Sequence, residues 1–103
     1  MSIPLRSSGN FRSAAIKALI PVNFIYNAPQ ASRVSVVGDF NEWNADTHLL
    51  ARAIDGSWLG TVSLRHGHHR YAFCVDGALQ VDPRGQGMSQ NDAGQKVSLL
   101  AVS

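Results

Sequence analysis

Apolar residues recur at every second position in short runs, and turn residues cut those runs roughly every 8–12 residues. Val22, Phe24 and Tyr26 share one face of a strand that Asn27-Ala28-Pro29-Gln30 ends. Arg33 to Val37 is a second strand, with Val34 and Val36 inward. After the Asp55-Gly56 turn, Trp58, Gly60, Val62 and Leu64 alternate with Leu59, Thr61 and Ser63. After a turn at His66-Gly67-His68, Tyr71, Phe73 and Val75 alternate with Ala72, Cys74 and Asp76. Asp76-Gly77 turns the chain again, Leu79 and Val81 form a short strand up to Asp82-Pro83, and Val97 to Val102 close the domain. A period of two admits a pleated sheet and excludes a helical core, whose apolar residues would recur every 3.6 positions. Each run offers one apolar face, as two packed antiparallel sheets require. The pattern predicts an all-β antiparallel sandwich of about seven strands.

The remaining segments read more weakly. Residues 1–20 are expected to be a loose or short-helical N-terminal arm, and residues 21–103 the folded domain. Ser13 to Leu19 suits a short helix capped by Ser13 and stopped by Pro21. Gly38 to Thr47 is expected to be a polar loop, and residues 84–95, rich in Gly, Gln, Asn and Asp, another. Leu49 and Leu50 are expected to open a short strand between them.

A chain of 103 residues, 45% of them hydrophobic, suffices for one domain with a real core. Its 9 Lys and Arg against 7 Asp and Glu leave little net charge. Arg6, Arg12, Lys17 and Arg33 precede residue 34, and no acid does, so the folded body is slightly acidic. No basic stripe of the kind that grips nucleic acid is present in the sequence. No apolar stretch approaches the length of a membrane span. A single cysteine, Cys74, excludes an internal disulfide and favours a reducing cytoplasm.

Trp43 stands out at a strand end, flanked by Asn41, Glu42 and Asn44. A part-exposed ring there can stack on a flat apolar ligand such as the C–H face of a sugar. It can equally fold back as a lid on the core, since Trp is mostly buried. Trp58 shares strand parity with Val62 and Leu64 and reads as core.

The search for reaction chemistry gives little. His66, His68 and His69 lie close together, with His48 apart, but a hairpin turn splays such side chains, so no metal is expected. Cys74 lies mid-strand between Phe73 and Val75, with nothing adjacent to activate it. Asp76 and Asp82 are candidate paired carboxylates, but each sits in a turn, where Asp ordinarily bonds its own backbone. The glycines at 85, 87 and 94 precede no phosphate-loop lysine. No cofactor and no enzyme activity are expected.

Taken in order, the residues spell a longer pattern. It runs Val34-x-Val36-x-Gly38-x-Phe40-Asn41-x-Trp43, then Asp55-Gly56-x-Trp58, then Leu64-x-x-Gly67-x-x-x-Tyr71-x-Phe73-x-Val75-Asp76-Gly77, then Asp82-Pro83. This pattern resembles the family 48 carbohydrate-binding modules over residues 21–103. Among these are the glycogen-binding domain of the AMP-activated protein kinase β subunit and the amino-terminal domains of isoamylases and glycogen branching enzymes. The resemblance implies an immunoglobulin-like sandwich of the early-set type and affinity for α-1,4-glucans such as glycogen.

Carried over position by position, the kinase domain's first sugar-gripping tryptophan falls on Trp43. Its second falls on Leu79, and its lysine after the strand tyrosine falls on Ala72. Its leucine, threonine and asparagine near the last strand fall on Ala93, Gln95 and Val97. Only Trp43 keeps the family residue, while Gln95 retains hydrogen-bonding capacity. The resemblance therefore implies a non-catalytic α-glucan module that binds glycogen or a maltooligosaccharide weakly. The alternative expectation is a degenerate module whose face around Trp43, smoothed into an apolar patch by Ala72, Leu79 and Val97, contacts a protein partner or a second copy.

Overall fold

The computed structural model describes residues 18–103. Eight strands follow in order: β1 Ile20–Asn27, β2 Val34–Gly38, β3 Ala51–Arg52, β4 Ser57–Leu64, β5 Gly67–Val75, β6 Ala78–Gln80, β7 Gly87–Gln90 and β8 Lys96–Val102. They form a three-stranded sheet in the order β1-β4-β3 and a five-stranded sheet in the order β2-β5-β8-β7, with β6 also paired to β5. Every pairing is antiparallel. The all-β sandwich expected from the period-two pattern is the architecture observed.

Register fixes which side chains face inward. Val22 pairs with Val62, Phe24 with Gly60, and Tyr26 with Trp58, so β1 and β4 bury one common face. Val34 pairs with Val75 and Val36 with Phe73, which sets the inner face of the other sheet. Between the sheets lie Phe24, Val34, Val36, Trp58, Val62, Leu64, Tyr71 and Phe73. Phe24 meets Tyr71 edge-on at a centroid separation of 5.3 Å, an arrangement that aligns the positive ring edge with the negative face. Trp58 is core, as its parity predicts, and its indole N–H donates to the Ala28 carbonyl at 2.9 Å.

Turn chemistry follows the sequence. Asp76 and Gly77, at φ 49° and 89°, make the tight connection from Val75 to Ala78, the left-handed pair that matches strand twist in a two-residue hairpin. The Asp76 carboxylate accepts from the backbone N–H of Ser32 at 2.9 Å and of Arg33 at 2.8 Å, tying the start of β2 to this hairpin. Asp82 accepts from the Tyr71 hydroxyl at 2.5 Å and from the Arg84 amide at 2.8 Å. Asp76 and Asp82 thus hold separate turns, and they do not form the acid–base pair considered from the sequence.

Four expectations need correction. The first strand starts at Ile20, one residue before Pro21; a proline is tolerated there because, among the described residues, β1 pairs only with β4 and lies at the sheet edge. Leu49 and Leu50 do not open the short strand: Leu49 bridges Ser35, and the strand proper is Ala51–Arg52. Residues 84–95 are not all loop, since Gly87–Gln90 pair with β8. His68 and His69 belong to β5, and the preceding connection is Arg65-His66. The helix expected over residues 13–19 lies outside the described residues except for Ala18 and Leu19, which are irregular.

Candidate functional site

The outer face of the five-stranded sheet is built from small side chains. Alternation places Ala72 and Cys74 opposite to Tyr71 and Phe73, and pairing sets Val37 beside Ala72 and Leu79 beside Cys74. Val97 joins them from β8. Val37, Ala72 and Val97 make a buried cluster of their own, with Trp43, Ala45, Cys74 and Leu79 packed against it. Among the described residues no second sheet packs on this small core; the turn that carries Trp43 and Ala45 lies against it, with Leu79 and Cys74 beside it.

That turn has a specific construction. The Gly38 carbonyl accepts from the Asn41 amide at 3.1 Å and the Trp43 amide at 2.9 Å, so the chain coils around the end of β2. Asn41 Oδ1 accepts from the Gly38 amide at 3.0 Å, and Asn41 Nδ2 donates to the Val36 carbonyl at 3.0 Å. Gly38 admits no side chain, because a Cβ there would lie 2.4 Å from the Phe40 ring and 2.7 Å from the Arg70 carbonyl oxygen. Glu42 and Trp43 both take positive φ, 57° and 58°. The left-handed region is a genuine outlier for a residue as bulky as Trp and costs about 1–2 kcal/mol. Such strain persists only where surrounding bonds impose it, and it clusters at ligand sites. Here it lays the half-buried indole along the small-residue floor.

Each carried-over position can now be placed. Trp43, Leu79, Ala72 and Val97 are brought together. Ala72 and Val97 are both 0% exposed, so neither offers surface to a sugar. They serve as floor, and the face is not the open apolar patch foreseen. Leu79 is half-buried at the edge of that floor. Gln95 is exposed in the β7–β8 hairpin, where its side-chain oxygen accepts from Asn91 Nδ2 at 3.1 Å, and Ala93 is exposed in the same turn.

Arg70 was not singled out from the sequence. By strand parity it shares the outer face, and its guanidinium reaches β7, donating to the Gln90 carbonyl at 2.7 Å and lying 3.8 Å from Asp92. Alternation along β5 was signal enough to place this cation on the outer face. His69 contacts Asp39 at 3.1 Å and the Arg65 carbonyl at 2.9 Å, and His48 Nδ1 lies 2.9 Å from Asn41 Nδ2. Among the described residues no three His, Cys, Asp or Glu side chains cluster as metal ligands would. On the inner side, burial first and then the Asp82 carboxylate push the Tyr71 hydroxyl well above the usual phenol range. It is a structural hydrogen-bond donor.

The family model described as the glycogen recognition site of AMP-activated protein kinase matches residues 20–103. The chain belongs to that family. Its sandwich is therefore immunoglobulin-like in the sense the resemblance implied. Curated relatives include the 1,4-alpha-glucan branching enzyme GlgB of Deinococcus radiodurans, 47% identical over 57 residues. That alignment spans 55% of this chain and 8% of the enzyme. The corresponding enzyme of Dechloromonas aromatica is 42% identical over 67 residues, spanning 58% of this chain and 11% of the enzyme. That of Xanthomonas oryzae pv. oryzae, GlgB 2, is 37% identical over 67 residues, spanning 60% of this chain and 9% of the enzyme. The chain thus corresponds to a small fraction of these relatives, and the family it matches is a binding module.

Proposed function

We propose that this domain is a non-catalytic α-glucan-binding module of weak affinity, with Trp43 as its stacking platform. One observation carries the reading: Trp43 is held in a left-handed backbone over a floor of buried small residues. A ring fixed that way is pre-organised, so stacking on a sugar costs little conformational entropy. The weakness follows from the rim. Where the resemblance puts the kinase domain's second tryptophan and its lysine, this chain has Leu79 at the rim and Ala72 in the floor. A missing stacking partner forfeits about 1 kcal/mol and a missing charged hydrogen bond about 1.5–3 kcal/mol, or roughly ten- to a thousandfold in affinity.

Titration with maltoheptaose or β-cyclodextrin, followed by tryptophan fluorescence, tests the proposal. The expected dissociation constant is about 1 mM. Calorimetric titration, which needs no indole reporter, should show binding lost in Trp43→Ala and retained in Trp43→Phe. An unchanged spectrum at saturating millimolar sugar overturns it.

A second reading has its own support. Leu79 and Cys74 are half-buried beside Trp43, and Leu49, bridged to Ser35 at the edge of the same sheet, is 54% exposed. This apolar margin suits contact with a protein or a second copy. Sedimentation velocity of the wild type against Leu79→Lys separates the readings. Association that the lysine abolishes supports protein contact, and two monomers remove it.

A further inference from the structure

Asn41 has a fully determined hydrogen-bond pattern. The Gly38 N–H is an obligate donor, so the atom 3.0 Å from it must be the Asn41 side-chain oxygen. The Val36 carbonyl is an obligate acceptor, so the Asn41 nitrogen faces it, also at 3.0 Å. One amide N–H is left, and the atom before it, at 2.9 Å, is His48 Nδ1. Nδ1 must therefore accept, which requires an imidazole that is neutral and carries its proton on Nε2. His48 is itself fastened to the same strand, its carbonyl accepting from the Val36 amide at 3.0 Å. Its ring lies 6.0 Å from that of Phe40, the residue before Asn41.

We infer that His48 is a positioning residue for Trp43, and that it couples sugar binding at this site to pH. Protonation places an Nδ1–H against the Asn41 N–H, where two donors face one another. Asn41 then gives up its bond to His48 or turns its amide and loses the bonds to Gly38 and Val36. Those bonds close the turn that imposes positive φ on Glu42 and Trp43. With the turn loosened, the indole leaves the geometry in which it is pre-organised, and affinity falls as His48 takes up its proton.

The charged and titratable groups facing His48 across its cleft are Asp39, Arg65, His68 and His69. Asp39 is already engaged, accepting from the Arg70 amide at 3.0 Å and contacting His69. The inference rests on the glucan reading for its affinity arm only. Its structural arm needs no sugar.

The test has two readouts. The first is the indole N–H resonance of Trp43 in a two-dimensional NMR spectrum of the sugar-free protein between about pH 7.5 and about pH 5. The second is the maltoheptaose dissociation constant over the same range. The Trp43 resonance is expected to titrate while that of buried Trp58 stays still, and affinity is expected to fall about tenfold. His48→Asn supplies a non-titrating acceptor near the position of Nδ1. It is expected to restore neutral-pH behaviour and flatten both profiles. His48→Leu should weaken binding at every pH, again without a profile. Retention of the wild-type pH profile in His48→Asn overturns the inference and transfers the effect to the other histidines. A Trp43 resonance indifferent to pH overturns it as well. If no sugar binds at any pH but Trp43 still titrates through His48, the glucan reading fails and takes the affinity arm with it, while the positioning of Trp43 by His48 stands.

Discussion

The five-stranded sheet has two faces that bury side chains by different means. On the inner face large rings interlock: Tyr71 and Phe73 meet each other, and Phe24 of the opposing sheet, edge-on. On the outer face the residues are small, and Val37, Ala72 and Val97 are buried by one turn and one indole. The inner face is secured by area. The outer face is secured by a few hydrogen bonds that hold a costly backbone shape. Two tryptophans of similar sequence setting therefore have opposite roles. Trp58 is closed in by packing and its N–H is consumed by Ala28, while Trp43 keeps part of its ring free.

Substitutions can break this contrast, starting with the largest effect. Trp58→Ala opens a cavity between the sheets and should cost about 3–5 kcal/mol in urea or thermal unfolding. Sugar affinity of the fraction that stays folded should be unchanged. Equal loss of binding and stability would collapse the distinction between the faces.

Tyr71→Phe is next. It removes the donor to the buried side of Asp82 and should cost about 2 kcal/mol. It also has a pH signature. The folded-state pKa of Tyr71 is raised, so above about pH 10 the unfolded chain releases this proton while the folded one keeps it. The contribution of Tyr71 is therefore complete below that pH and is lost as pH rises further. Phe at this position should flatten that alkaline decline in denaturant midpoint.

Trp43→Ala should cost about 1 kcal/mol of stability: part of the ring is already exposed, which keeps the loss small, while the floor it uncovers adds to it. Its sugar response should disappear. Unfolding of the domain by this substitution would make Trp43 a lid and end its role as platform. The smallest effect has the opposite sign. Glu42→Gly removes a Cβ from a position at φ 57° and should stabilise the domain by up to about 1 kcal/mol. If it does so while weakening binding, the strain at this turn serves recognition.

The inner face was legible in the sequence because burial on one side of a pleat forces strict alternation. Trp58, Tyr71 and Phe73 could be placed from their neighbours alone. The floor of the outer face was legible as well, since Ala72 and Val97 fall opposite to core positions. Its complete burial was not, because the cover is a turn, and parity says nothing of turns. Strand β7 was missed because Gly87-Met88-Ser89-Gln90 has no β-branched or aromatic residue. Its partner β8 supplies the ladder, which is a non-local effect. The left-handed backbone at Trp43 was equally silent, since neither Glu nor Trp favours that region. It is imposed by Asn41, whose bonds run to Val36, Gly38 and His48.

That construction separates where the ring sits from what surrounds it. Gly38 and Asn41 set the ring through backbone contacts, and the rim residues Leu79 and Gln95 take no part in the turn's hydrogen bonds. The domain is in this sense a socket with an interchangeable collar. Leu79→Trp or new polar groups at position 95 can be grafted to retune which glucan is held, without rebuilding the mount that holds Trp43.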